Sequence, residues 1–195
     1  MKMQSSLFGG QRMRQAPSSY KREEANLIFE KIELKTGDVF VDLGCGTGNF
    51  SLHAAGLVGN EGKVYAIDLW TEMLEKVANR AKEANFDNIL TIENNICESI
   101  NLEDSIADIC FISNVLHGQK INGNCPTLLS EIARFLKPNG RLSIIEFKKE
   151  EMPFGPPLNI RISPEELSEG VSAHSFQKIS YLDLGYHYMT VFQKE

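Results

Sequence analysis

The run Val39-Phe40-Val41-Asp42-Leu43-Gly44-Cys45-Gly46-Thr47-Gly48-Asn49-Phe50 constrains this chain more than any other stretch. A short apolar segment carries an acid near its end. Three glycines follow at alternate positions, and then a helix-compatible segment begins. The pattern predicts a strand, a tight turn and a helix start within a dozen residues. Alternate glycines strip side chains from the turn, so backbone can come close to a ligand. The helix that follows presents unpaired N–H groups in its first turn. A dinucleotide fingerprint, G-x-G-x-x-G, would need glycine at position 49, where Asn49 stands. The pattern present is D-x-G-x-G-x-G. An acid two residues before the first glycine opposes a pyrophosphate and suits a ligand with positive charge, such as an ammonium.

The rest of the chain alternates strand and helix. Apolar spacing predicts a helix over 20–34, capped by Ser18 or Ser19, and a first strand over 39–43. A helix over 48–57 follows, ended by Gly56 and the Gly59–Gly62 cluster, then a strand over 63–68. Further segments read as a helix from Thr71 to Asn85, a strand over 88–93 and an irregular stretch over 94–104. A strand over 107–113 is almost wholly apolar, as expected where both faces are covered. A helix over 126–135 and a strand over 141–147 come next. Pro153, Pro156 and Pro157 exclude a regular element within 148–162. Ser163-Pro164 opens a last helix, and strands over 176–182 and 187–193 close the chain. Such alternation predicts an α/β domain, an open parallel sheet with helices on both faces. The close-set last pair reads as an antiparallel hairpin. Residues 1–19 read as a flexible N-terminal arm and 20–195 as a single domain.

The chain has 195 residues, enough for one domain with a sizeable core. Its net charge of −6 disfavours a role in clamping a phosphate backbone, so no nucleic-acid partner is expected. Cys45, Cys97, Cys110 and Cys125 show no C-x-x-C spacing and no evident pair, which reads as a reduced, cytoplasmic protein without a metal site. The first residues lack the apolar core of a signal peptide. No run approaches the roughly 20 apolar residues of a membrane span.

The segment from the apolar strand through Asp42 to Gly48 resembles the first motif of the class I S-adenosylmethionine-dependent methyltransferases. The resemblance implies their fold: a Rossmann-like, doubly wound sheet of seven strands in order 3-2-1-4-5-7-6, mostly parallel, with strand 7 antiparallel. It also implies S-adenosyl-L-methionine as cofactor, held by Asp42, Gly44, Cys45, Gly46 and Gly48. Asp68 ends the second strand twenty residues after Gly48, the interval expected of an acid that accepts ribose hydroxyls; the alternative is a helix cap before Thr71. Leu69 and Met73 are expected near the adenine, although Met73 alone would read as helix core. Asn94 or Asn95 stands where relatives carry an acid near the adenine amino group, with the Ile96 N–H facing the ring. A backbone carbonyl at Ser113 or Asn114 is expected to meet the ligand ammonium. His117 either acts on the cofactor or substrate or packs under the next helix; it is the one weak catalytic candidate.

The acceptor is expected to be a small molecule. Base amino-methyltransferases of this class carry [Asp/Asn/Ser]-Pro-Pro-aromatic where this chain has Asn114-Val115-Leu116-His117. The run from Leu129 to Arg141 resembles the branch that includes quinone-biosynthesis methyltransferases. Segments 1–34, 114–125 and 148–162 are the expected substrate-site walls, with Phe8, Tyr20, Phe147, Phe154 and Leu158 as lining candidates. Residues 152–158 read either as a lid or as a surface connection. The same motifs also fit a catalytically silent cofactor-binding protein or partner subunit. A homodimer is left open.

Overall fold

The computed structural model describes residues 20–118 and 125–195. The proposed arm, with Phe8, Ser18 and Ser19, lies outside the described residues. Seven strands form one sheet in the order β3-β2-β1-β4-β5-β7-β6. They are β1 (Val39–Leu43), β2 (Lys63–Asp68), β3 (Ile89–Glu93), β4 (Ala107–Ser113), β5 (Leu136–Phe147), β6 (Phe176–Leu184) and β7 (His187–Lys194). β1 pairs in parallel with β2 and β4, whereas β7 runs antiparallel to both β5 and β6. The expected topology is therefore present, and the strand order reverses between β1 and β4.

Period-2 alternation sorts the strand residues onto two faces. Phe40, Ile109, Phe111 and Ile145 pack with Ala25, Ile28 and Phe29 of α1 (Arg22–Lys31) and with Phe50 and Ala54 of α2 (Asn49–Val58). Their sequence neighbours Val41, Leu43, Cys110, Ile112 and Ile144 face the other way. They meet Leu128, Leu129 and Ile132 of α4 (Leu128–Phe135) and Leu167 and Val171 of α5 (Pro164–Ser172). The Phe50 and Phe111 rings lie 4.7 Å apart, and Phe40 and Phe111 5.6 Å. Each fully buried ring of this kind contributes about 1.5–3 kcal/mol. α3 (Thr71–Glu83) turns Leu74, Val77 and Ala81 inward.

Several boundaries differ from the sequence expectation. α1 starts after Lys21, which supplies no side-chain cap. α2 runs through Gly56 and stops at Gly59, whose positive φ the helix cannot continue. α4 begins two residues past Pro126, which lies in the preceding turn. β5 begins at Leu136 rather than Arg141, because Lys137 to Gly140 bulge out between the Ala107–Leu136 and Ile109–Arg141 pairs. α5 is as expected: Ser163 and Glu166 form a reciprocal capping box, with proline at the first turn.

The proline-rich stretch is not a loose connection. Arg161 is buried and its guanidinium donates to the carbonyls of Lys148, Glu150, Phe154 and Pro156. It thereby fixes 148–162 as a folded loop. The cysteines also correct the sequence reading: Cys97 and Cys125 are joined as a disulfide, with Cα atoms 4.6 Å apart. The bond ties the loop after β3 to the approach to α4. Spacing could not show it, because the two residues meet only after β3 and α4 have packed.

Candidate functional site

The glycine turn leaves the carboxyl end of β1, beside the reversal in strand order, where ligands of open α/β sheets bind. Gly44 and Cys45 both donate their N–H to the Ile67 carbonyl, at 2.8 and 3.0 Å. Gly46 N donates to Asp68 Oδ2 at 2.8 Å, and Arg80 of α3 donates to the Thr47 carbonyl. The three glycines have positive φ. They do different work. A Cβ on Gly44 would stand 2.4 Å from Val115 Cγ2, and one on Gly48 2.6 Å from Val77 Cγ2. A Cβ on Gly46 would meet nothing within 4 Å. Two glycines admit neighbouring side chains, and the middle one faces open space that a ligand can enter. Cys45 is half-buried beside it, and burial pushes its thiol up.

Asp42 lies under the turn rather than on its surface, with 2% of its area exposed. Ser51 Oγ donates to its Oδ2 at 2.5 Å. Burial pushes the carboxyl up to about 7, and the Asp68 charge adds to the rise while the Ser51 bond opposes it. Asp68, at the end of β2, is also buried. Its Oδ2 accepts from Gly46 and its Oδ1 from Trp70 N at 3.0 Å. It is thus the anchor of the glycine turn and braces the chain entering α3 without capping that helix, and each oxygen keeps a further lone pair. Leu69 and Trp70 beside it are 52% and 60% exposed, while Met73 is half-buried on α3. Trp70 is a rim residue that sequence reasoning missed. The signal available was an aromatic residue two positions after the acid.

The loop after β3 separates the two asparagines. Asn95 spends its side chain on the turn, its Oδ1 accepting from Cys97 N and its Nδ2 donating to Glu98. Asn94 donates to the Ser99 carbonyl, and its buried Oδ1 has no partner among the described residues. The Ile96 side chain packs into the core. At the end of β4, Ser113 is half-buried. Asn114 follows with φ 57, a conformation asparagine tolerates better than most residues. Its N–H donates to the Ile145 carbonyl, and its Oδ1 is a second buried acceptor without a described partner. Buried acceptors without a protein partner are uncommon, and Asn88 Oδ1, Ser143 Oγ and Thr190 Oγ1 elsewhere in the fold share the property among the described residues.

His117 sits in the short turn Leu116–Gly118 beyond β4. Its Nδ1 lies 2.8 Å from Glu146 Oε2. Glu146, near the end of β5, is fully buried, and its Oε1 accepts the backbone N–H groups of Leu116 and His117. Of the lining candidates, Phe147 is buried: its ring lies tilted against that of His187 with centroids 4.1 Å apart, where burial favours the neutral imidazole, and it sits under the Arg161 guanidinium. Phe154 stays half-exposed against Tyr186, at 4.7 Å, and Leu158 is 38% exposed. Tyr20 bonds His53 of α2 and packs edge-on to Phe50, which accounts for both side chains structurally.

A cradle open above one glycine, a buried acid at the end of β2 and two buried amide oxygens without described partners lie at the carboxyl ends of the strands, the arrangement expected of a class I methyltransferase fold. The comparisons with known proteins agree. A methyltransferase-domain family profile matches residues 34–193, and the chain belongs to this family. A solved S-adenosylmethionine-dependent methyltransferase from Aquifex aeolicus superposes with a TM-score of 0.81 at 25% identity, over 88% of this chain and 90% of that one. The chain is also 32% identical over 117 residues to 2-phytyl-1,4-naphtoquinone methyltransferase of Trichormus variabilis, covering 59% of this chain and 49% of the relative. To demethylmenaquinone methyltransferase of Lactobacillus johnsonii it is 29% identical over 126 residues, covering 65% and 50%. The chain thus spans about half the length of these curated relatives. Among the described residues no helix is long and apolar enough to cross a membrane, and no cluster could hold a metal ion.

Proposed function

We propose that this protein transfers a methyl group from S-adenosylmethionine to a small-molecule acceptor, and that residues 20–195 form the working domain. The observation that carries the reading is the pair of buried amide oxygens on Asn94 and Asn114, in the segments directly after β3 and β4, with β1 and its glycine turn between those strands in the sheet. In this reading Asp68 accepts the ribose hydroxyls while holding the Gly46 N–H. Leu69, Trp70 and Met73 flank the adenine, and Asn94 Oδ1 accepts from its amino group, with the Ile96 N–H nearby. Ser113 and Asn114 meet the methionine ammonium. Asp42 lies too deep to touch it and favours the cation through its field. Gly44, Cys45 and Gly48 shape the turn. The cofactor supplies a reactive methyl on a positive sulfur. The chain supplies alignment of nucleophile, carbon and sulfur, a contribution on the order of 7–11 kcal/mol.

The acceptor side is the apolar surface of Phe154, Tyr186 and Leu158 beside His117. The likeness to quinone-biosynthesis enzymes supports a flat, largely apolar acceptor. The acidic balance supports a protein with no nucleic-acid partner. Incubation with methyl-labelled S-adenosylmethionine and a fractionated metabolite extract tests the reading. A labelled small molecule is the expected product. Tight cofactor binding with no labelled product from any fraction would favour a silent binding protein instead.

A further inference from the structure

Glu146 is a carboxyl group with no surface in water, and among the described residues its ion-pair partner is His117. Its two oxygens are divided. Oε1 takes the N–H groups of Leu116 and His117, at 2.7 and 3.3 Å, which fixes the turn that carries His117. Oε2 takes His117 Nδ1 at 2.8 Å, which fixes the ring. A carboxylate offers only acceptors, so Nδ1 carries a proton, and in the neutral ring Nε2 keeps its lone pair. Nε2 meets no partner among the described residues, and 20% of the side chain remains exposed. The ring stands three residues past Asn114, at the same end of the sheet as the glycine turn. A group that served only packing would not need a buried charge to set its tautomer.

We infer that His117 is the general base of the methyl transfer, that Glu146 is its positioning residue, and that the acceptor presents a hydroxyl. The inference rests on the methyltransferase reading and names the chemistry of its acceptor. A neutral amine brings its own free lone pair and needs no base before attack. A hydroxyl does, because its oxygen becomes positive as it bonds carbon. In the step, a lone pair of the acceptor oxygen forms the O–CH3 bond. The methyl–sulfur bond breaks with its electron pair going to sulfur, leaving neutral S-adenosylhomocysteine. The hydroxyl proton passes to Nε2, and Glu146 stabilises the imidazolium until solvent removes the proton.

The test is nitrogen-resolved NMR of the His117 ring in the full-length protein saturated with S-adenosylhomocysteine. The expected neutral form has hydrogen on Nδ1 and a bare Nε2. Glu146→Gln, whose amide can donate to Nδ1, should shift the proton to Nε2, and Glu146→Asp should restore the original tautomer at least in part. With any hydroxyl acceptor that turns over, Glu146→Gln should lower kcat about 10²-fold or more with little change in KM. Hydrogen on Nε2 in the unmodified protein, or an unchanged tautomer in a folded Glu146→Gln protein, overturns the inference. The unmodified protein decides the question even if the variants fail to fold. Failure of S-adenosylhomocysteine to bind would instead count against the methyltransferase reading, since the ring can also be examined without it.

Discussion

Gly44 and Gly46 look equivalent in the sequence, but the structure makes opposite predictions for them. Gly44→Ala and Gly48→Ala each place a methyl group within 2.6 Å of a valine and force a left-handed alanine. The strain amounts to about 1–2 kcal/mol and the overpacking to about 1–3 kcal/mol. Each kcal/mol lowers Tm by about 2–4 °C in a chain of this length. Gly46→Ala carries the strain alone, so its Tm should fall least, yet it fills the ligand's space and should lose the most cofactor affinity. Thermal melts and calorimetry on the three variants check the contrast. Asp42 gives a pH dependence. Its folded carboxyl, pushed up to about 7 by burial, stands above its ordinary value of 3.8. The folded state therefore holds the proton more tightly, and this group's contribution to stability is fully present below about pH 4 and lost as pH rises through about 7. A bound cation favours the ionised form, so cofactor affinity should rise with pH across the same window, with proton release on binding. An affinity that is flat between pH 5 and 8, or that falls, would remove Asp42 from the account.

At the scale of elements, the loop 148–162 owes its shape to one side chain. Arg161 donates to four carbonyls in a buried position, and hydrogen bonds of a charged group contribute about 1.5–3 kcal/mol each before coupling is considered. Arg161→Met should lower Tm and raise amide exchange across 148–162, while exchange in β1 and β2 stays slow. Ser163→Ala removes only the cap of α5 and should cost about 1 kcal/mol. The loop also marks where the sequence stops being legible. Prolines told that 148–162 is irregular, but the alternatives of lid and surface connection turn on Arg161, whose partners are backbone atoms with no sequence signature. β1, β2 and β4 were legible to the residue, because an apolar run in a buried parallel strand has little freedom. β5 was not, because the bulge at Lys137 to Gly140 depends on its register with β4. Asp42, the glycines and Asp68 were readable from local spacing. Asn94 and Asn95 were separable only by seeing which side chain the turn had consumed, and the bond between Glu146 and His117 joins residues 29 positions apart in the chain.

At the scale of the whole molecule, the sheet gathers the ends of β1 to β5 and the start of β7 at one rim, where the proposed cofactor and acceptor sites adjoin. The disulfide crosses the same region. Cys97 lies three positions past Asn94, so the bond fixes the loop that carries the proposed adenine acceptor. Peptide mapping of purified protein without reductant should give a linked Cys97–Cys125 peptide, with Cys45 and Cys110 as free thiols. Rapid alkylation inside cells should label Cys97 and Cys125 if the protein works in a reducing cytoplasm, and a linked pair there would contradict that location. The central claim concerns the cradle between β1, β2 and β4, and calorimetry of the full chain tests it most directly. S-adenosylhomocysteine should bind at one site and NADH should not, and Asp68→Ala should weaken binding at least tenfold while the fold persists. Binding of NADH in place of S-adenosylhomocysteine, or S-adenosylhomocysteine binding that Asp68→Ala leaves unchanged, would contradict the account.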